Sequence, residues 1–486
     1  MNGKQQSRSL RSHMISRAAM AAMAMAVISA LTFALSQSAQ AQAPATGAGQ
    51  TELILHSFSN NGSDGSHPFA GLIFDAAGNL YGTTEGGGPY GNYGTVFELT
   101  PTGGGGWTEQ VLYSFNLLPG GGAYPTAGLI FDGAGNLYGT TSGGGSSHCY
   151  NGCGTVFELS SVAGGGWMET MLYSFCPQGG VCPDGDTPNA GLIFDAAGNL
   201  YGTTQGGGTY GSGTVFELSP AGGGNWTETV LHSFNRDGTD GFQPFGGVIF
   251  DAAGNLYGTT PYGGTTTDTS DGGTAFELSP TAGGTWIEQV LHNFGNGADG
   301  AYSYSGLIFD AAGNLYGTTY GGGSYSSCSY YGHGDVGCGT VFELSPTAGG
   351  GWTEQVLHNF DNGVGGFAPW AGVIFDAAGN LYGTAVRGGS SGSWNCVFAG
   401  CGTIFELTPT AGGNWTEQLL HNFGNGTDGY SPTGGVITDA AGNLYGTTQS
   451  GGTYGWEGGT YGFAGGTVFE LTPADPCATC RHAIRP

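Results

Sequence analysis

Lysine is all but missing from this chain: Lys4 is the only one in 486 residues. No later lysine is available for a Schiff base or a phosphate-binding P-loop. Charge of positive sign is scarce throughout, with eight basic residues against 35 acidic ones and a formal net charge of −27. A phosphate backbone would be repelled, so nucleic acid is not an expected partner. Cations, neutral glycans and basic partners remain open. Beyond residue 50 there is no helical periodicity, no apolar run long enough to span a membrane and no His-Glu-x-x-His segment.

The apolar run that does exist lies at the start. Lys4, Arg8, Arg11 and Arg17 precede an uncharged stretch from Ala18 to Leu35, and Ala39-Gln40-Ala41 forms a small-x-small cleavage signal. Residues 1–41 are therefore expected to be a signal peptide, followed by a short linker at 42–50. Its removal leaves Arg236, Arg387, Arg481 and Arg485 against all 35 acids, a formal charge of −31. The expected location is secreted, extracellular or at the cell surface, with the periplasm as the other extracytoplasmic option.

Ten cysteines form five local pairs. Cys149/Cys153, Cys328/Cys338 and Cys396/Cys401 occupy equivalent loops, each ending just before a Gly-Thr dipeptide. Cys176/Cys182 and Cys477/Cys480 complete the set. Loop-closing disulfides in an oxidising compartment are the expectation.

Glycine is abundant, at 102 residues, and it is ordered by repetition. Gly71-Leu72-Ile73-Phe74-Asp75-Ala76-Ala77-Gly78-Asn79-Leu80-Tyr81-Gly82-Thr83-Thr84 opens a unit that continues through Gly94-Thr95-Val96-Phe97-Glu98-Leu99 and ends on Trp107-Thr108-Glu109-Gln110-Val111-Leu112-Tyr113-Ser114-Phe115. Its aspartate recurs at Asp75, Asp132, Asp195, Asp251, Asp310, Asp376 and Asp439. Such a period marks a solenoid, a propeller or an array. Each unit offers four strands: Gly-Leu-Ile-Phe-Asp, Asn-Leu-Tyr-Gly-Thr-Thr, Gly-Thr-Val-Phe-Glu-Leu and the Trp-initiated segment. In the fourth, Trp107, Glu109, Val111, Tyr113 and Phe115 are expected to alternate against Thr108, Gln110, Leu112 and Ser114. The last unit stops at Phe469-Glu470-Leu471 and lacks its fourth strand, whereas Thr51 to Phe58 matches the missing piece. The fold predicted is all-β: a seven-bladed β-propeller of four-stranded blades over 51–471, closed by strand 51–58 completing the last blade, with a tail at 472–486.

With Asp-Ala-Ala-Gly-Asn-Leu-Tyr-Gly-Thr-Thr and Gly-Thr-Val-Phe-Glu-Leu in nearly every copy, the chain resembles the GloVer ("choice-of-anchor") tandem-repeat family of exported bacterial proteins. The Asp-x-x-Gly-Asn-Leu-Tyr core is also similar to NHL-type propeller repeats. The resemblance implies an extracytoplasmic repeat protein and hands over no activity. The tail, Cys477 to Pro486, departs from the family's anchor theme in having no apolar span.

Repetition separates scaffold from site. Glu98, Glu158, Glu217, Glu277, Glu343, Glu406 and Glu470 are equivalent, as are Glu52, Glu109, Glu169, Glu228, Glu288, Glu354 and Glu417. Fourteen equivalent acids cannot all be catalytic, so they are expected to be structural. The same holds for His56, His232, His292, His358 and His421, which alternate with Tyr113 and Tyr173. Crossovers between units carry polar turns containing Asp64, Asp240, Asp299 and Asp428, whose hard oxygens could suit Ca2+. Aromatics follow these turns at Phe69, Phe245, Tyr302, Trp370 and Tyr430, as sugar-stacking or protein-interface candidates. Arg236, Arg387, Trp394, Trp456, Glu457 and the pair His333/Asp335 break the repeat. Each arginine could orient a carboxylate, a structural ion pair being the expected use. The functional expectation is an extracellular binding or adhesion module for a glycan or protein, acting through its variable loop face. A polysaccharide hydrolase or lyase and a structural surface or matrix protein are the alternatives.

Overall fold

The computed structural model describes residues 51–472, apart from 60, 118–119, 179, 266–271, 296–297, 326–327, 329–336, 362, 390–399, 425–426 and 455–464. The proposed leader and linker, the tail from 473, Trp394, Cys396, Trp456, Glu457, His333, Asp335, Cys477 and Cys480 lie outside the described residues. Among the described residues every regular element is a strand. They build seven four-stranded antiparallel sheets arranged as the blades of a β-propeller.

An aspartate turn joins the first two strands of each blade. Asp75 Oδ1 accepts the backbone N–H groups of Ala77 and Asn79, both at 2.8 Å, and Oδ2 accepts Asn79 Nδ2 at 2.8 Å. Gly78 takes the left-handed conformation, φ +86°, that lets the chain reverse. The same carboxylate bonding recurs in all seven copies, through Asp439 in the last. In the first blade, the strands leaving this turn are Ile73–Phe74 and Leu80–Thr84, followed outward by Thr95–Pro101 and Trp107–Ser114.

The innermost strand is shorter than the five residues expected from Gly71–Asp75. Only Ile73–Phe74 pairs, and the carbonyl of Ala70 just before it bonds the neighbouring blade instead. The hydroxyl of the second-strand threonine in each blade donates to a carbonyl of the next: Thr83 to Ala127, Thr140 to Ala190, Thr203 to Gly246, Thr259 to Ser305, Thr318 to Ala371 and Thr384 to Gly434, at 2.6–3.1 Å. Thr447 donates to Ala70 O at 2.9 Å and closes the circle. Seven glycines stand behind these carbonyls. Gly71 faces Gly435 O, and Gly372 faces Gly306 O so closely that a Cβ there would sit 3.0 Å from it.

Strict alternation in the fourth strand does not hold. Val96 pairs with Tyr113 and Phe97 with Val111, which leaves Leu112 as the extra residue of a β-bulge. The bulge turns Leu112 into the core between blades 1 and 2, beside Val96 and Phe115. Buried side chains thus form interblade clusters. A phenylalanine pair sits in each seam, from Phe58–Phe97 at 5.1 Å to Phe423–Phe469 at 5.2 Å. Edge contacts of this kind add about 0.5–1.5 kcal/mol per pair beyond area burial.

The ring closes as the sequence predicts. Thr51–Ser57 pairs antiparallel with Thr467–Thr472, from Thr51 opposite Thr472 to Ser57 opposite Thr467. Phe58 N then donates to Gly466 O at 3.0 Å. Three of the expected disulfides are present: Cys149–Cys153, Cys176–Cys182 and Cys328–Cys338. Cys401 is also disulfide-bonded. No helix among the described residues is long and apolar enough to cross a membrane.

Candidate binding site at the channel mouth

The antiparallel order places the second-to-third loops and the blade crossovers on one face. There the chain enters each blade through a five-residue segment, His67-Pro68-Phe69-Ala70-Gly71 in the first. The leading residue is left-handed in every copy, although none is glycine. His67, Tyr124, Thr187, Gln243, Tyr302, Ala368 and Ser431 have φ between 56° and 62°. That conformation costs about 1 kcal/mol or more at each non-glycine position, so the surroundings must hold it. They do so from both sides. His67 N donates to Gly465 O at 2.9 Å, and His67 O accepts Glu85 N at 3.0 Å. Equivalent pairs hold Tyr124, Thr187, Tyr302, Ala368 and Ser431.

Two residues on, the side chains differ from blade to blade: Phe69, Thr126, Asn189, Phe245, Tyr304, Trp370 and Thr433. Four of them form an aromatic cluster. Trp370 stacks on Tyr304, 4.4 Å between centroids and 5° between planes. It also meets Phe245 edge-on at 5.6 Å and Phe69 at 5.8 Å. Blades 1 and 4 are not neighbours, so rings from both can share Trp370 only near the axis. All four rings remain partly exposed. Beside them runs a polar arc: Thr126 Oγ1 donates to Asn189 Oδ1 at 3.1 Å, and Asn189 Nδ2 donates to Gln205 Oε1 at 2.9 Å.

A separate cavity of about 310 Å³ is lined by His67, Glu85, Gly86, Asn92, Tyr124 and Gln449. Burial raises the Glu85 carboxyl above its ordinary range. Sequence reasoning missed Glu85, Asn92, Tyr304, Asn189 and Gln205. A signal existed for Glu85: the corresponding residues are Ser142, Gln205, Pro261, Tyr320, Val386 and Gln449, so it is the one acid at its position.

The expected aromatics divide. Phe69, Phe245 and Trp370 come together at the mouth. Tyr302 holds a left-handed position and meets Tyr262, 5.9 Å between centroids. Tyr430 packs into the core between blades 6 and 7. Among the described residues Arg236 meets an aromatic ring rather than an acid: its guanidinium lies 4.4 Å from the centre of the Phe242 ring. Arg387 Nη1 donates to Ser431 Oγ at 3.1 Å.

The turn aspartates and the repeated acids and histidines meet elsewhere, in the seams between outer strands. Asp64 Oδ2 anchors its turn by accepting Ser59 N at 2.8 Å; Asp240, Asp299 and Asp428 accept Asn235, Gly295 and Gly424 N–H groups. Each faces the histidine of one blade and the glutamate of the next. His232 Nε2 lies 3.2 Å from Asp240 Oδ2 and 3.8 Å from Glu288 Oε2. The other glutamate series is satisfied within its blade, as where Tyr81 Oη donates to Glu98 Oε1 at 2.8 Å.

The profile of the Gloeobacter/Verrucomicrobia repeat matches residues 43–183, 110–331 and 328–484. No curated protein matches. Among solved structures, the chain is similar to an oxidoreductase described as a glucose dehydrogenase from Thermus thermophilus, at 17% identity, covering 74% of this chain and 99% of that one, with a TM-score of 0.37. A polysaccharide lyase of family PL25, an ulvan lyase, aligns at 10% identity over 76% and 86% of the two chains, TM-score 0.44. A protein described as a 6-phosphogluconolactonase from Bacteroides uniformis ATCC 8492 aligns at 14% identity over 78% and 89%, TM-score 0.40.

Proposed function

For a chain that belongs to the Gloeobacter/Verrucomicrobia repeat family, and whose repeats close into one propeller, we propose an exported binding module that holds a glycan at the channel mouth. One observation carries this reading. Rings from four blades meet near the axis, beside an arc of amides and a hydroxyl, at positions that vary while the scaffold repeats. A sugar presents an apolar C–H face and a rim of hydroxyls, and these two surfaces match its two kinds of contact. The net charge of −27 favours a neutral or cationic glycan over a polyanionic one. Export is supported by the leader-like start and by the disulfides.

Affinity electrophoresis and a glycan array with the folded protein test the reading. Binding to a neutral polysaccharide should weaken about tenfold or more in Trp370→Ala and in Gln205→Ala, as loss of a central contact typically costs about 1–2 kcal/mol. The melting temperature of Gln205→Ala should stay near wild type. A blank array, or binding untouched by both substitutions, would reject the site. A polysaccharide hydrolase or lyase is the second reading, favoured by Glu85, whose half-buried carboxyl beside His67 and Asn92 suits a general acid. Sugar release abolished in Glu85→Gln, with binding retained, would select it.

A further inference from the structure

The closing strand Thr51–Ser57 carries Glu52 and His56, and each meets a neighbouring blade. Glu52 joins His421 and Asp428, while His56 joins Asp64 and Glu109; within each trio the donor atoms lie within 4.8 Å of one another. We propose that these two clusters are sites for a divalent cation of the zinc class, which clamps the closing strand to the blades on either side. The trios His232–Asp240–Glu288 and His292–Asp299–Glu354 repeat the arrangement at two seams further round the ring.

The unfilled donors carry the argument. Glu52 Oε1, His421 Nε2 and Asp428 Oδ2 are all buried, and none makes a hydrogen bond. The Asp428 side chain is only 5% exposed, and its Oδ2 points at His421 Nε2, 3.3 Å away. Glu52 Oε1 lies 3.6 Å from the same nitrogen. Three buried polar atoms at ion-pair distance but without a hydrogen bond are costly, and one cation would satisfy them together. Bonds of about 2.0–2.2 Å in a tetrahedral site set donor atoms about 3.4 Å apart, close to these separations. Asp428 is already oriented, since its Oδ1 accepts Gly424 N at 3.0 Å. One imidazole and two carboxylates suit zinc better than calcium, which seeks six to eight oxygens.

The chain contains its own control. Where tyrosine replaces histidine, the hydroxyl proton does the work: Tyr173 Oη donates to Asp184 Oδ2 at 2.8 Å. In that tyrosine seam the aspartate oxygen facing the ring is bonded without an ion, although Asp184 Oδ1 and Glu228 Oε1 stay unbonded. The seams of His232 and His292 use the imidazole in the same way, with Nε2 bonded to Asp240 Oδ2 and Asp299 Oδ2 at 3.2 Å, whereas the Glu52, His421 and Asp428 donors make no such bond. The seam of His358 differs again, because Asp361 Oδ1 is bonded to Gly363 N at 2.8 Å.

His421→Tyr and His56→Tyr copy a seam the fold already uses, so the variants should fold. Full-length, disulfide-intact protein stripped with chelator is titrated with Zn2+ and, separately, with Ca2+ by calorimetry. The double variant should bind two fewer Zn2+ than wild type. Its melting temperature should rise less on adding Zn2+, and Ca2+ should bind at least about 100-fold more weakly than Zn2+. Equal Zn2+ stoichiometry in wild type and the double variant would overturn the proposal, as would no stoichiometric Zn2+ binding, or Ca2+ binding as tight as Zn2+.

Discussion

A buried carboxylate needs donors or a proton, and the repeated acids of this chain divide on that point. For Asp251, burial raises the pKa, but bonds from Asn255 N and Nδ2, Ala253 N and Tyr257 Oη outweigh it and hold the carboxyl below its ordinary range. Asp251→Ala removes a charge-assisted turn, so a loss of about 2–3 kcal/mol in urea unfolding is expected. Glu228 has no such donors. Burial, and then the charge of Asp184, push its pKa up to about 8, and its Oε1 has no hydrogen-bond partner. The folded state therefore keeps the proton longer than the unfolded chain. That contribution is complete below about pH 4.5 and is lost as pH rises through about 8. Glu228→Gln should be close to neutral at pH 4.5 and stabilising at pH 8.5 by on the order of 2 kcal/mol, the full linkage value being discounted for partial solvent access. Parallel denaturation curves at the two pH values check it; equal effects at both would contradict the burial argument.

Among the elements, the closing strand is the one whose loss the rest cannot absorb. It pairs along the whole of Thr467–Thr472 and contributes Leu55 and Phe58 to the core shared with blade 1. Deleting residues 51–58 exposes that edge and opens a cavity around Phe97, so a large fall in melting temperature with aggregation is expected by light scattering. This element was legible because its sequence repeats the fourth strand of every other unit. Other features were not. The bulge that buries Leu112 leaves no mark in an alternating segment, since Leu112 reads as the polar-side residue between Val111 and Tyr113. The left-handed residues were hidden for the opposite reason: His67, Gln243 and Ser431 have no common side chain, and only their bonded surroundings impose the conformation. Phe69, Phe245 and Trp370 could be singled out one at a time, but their contact depends on ring geometry that no local window contains. The seam trios were invisible because their members come from two blades and a crossover.

Across the whole molecule, the two kinds of acid set opposite limits on pH. Six of the turn aspartates have carboxyls held low, where hydrogen bonds from the turn outweigh the burial that raises them: Asp132, Asp195, Asp251, Asp310, Asp376 and Asp439. Their contribution is present above about pH 3.8 and is lost as pH falls further. The seam glutamates act the other way. Burial lifts all seven, with Glu52, Glu109, Glu354 and Glu417 reaching about 7 and Glu228 and Glu288 about 8. Their contribution is complete below about pH 4.5 and drains away as pH rises through 7 to 8. His358, which burial lowers to about 4, favours the folded state only while neutral, so it opposes the glutamates between its unfolded value of 6.5 and 4. One histidine against seven carboxyls leaves the glutamates dominant in that interval. Self-repulsion from a net charge of −27 also grows as the remaining acids ionise. The stability maximum is therefore expected in mild acid, near about pH 5, rather than at neutrality. Calorimetric melting in chelator across pH 3–9 checks this, with salt held constant so that screening does not vary. A curve that rises steadily from pH 5 to 8 would show that the seams hold their glutamates ionised, and would remove the protonated carboxyl from the account of how the blades are joined.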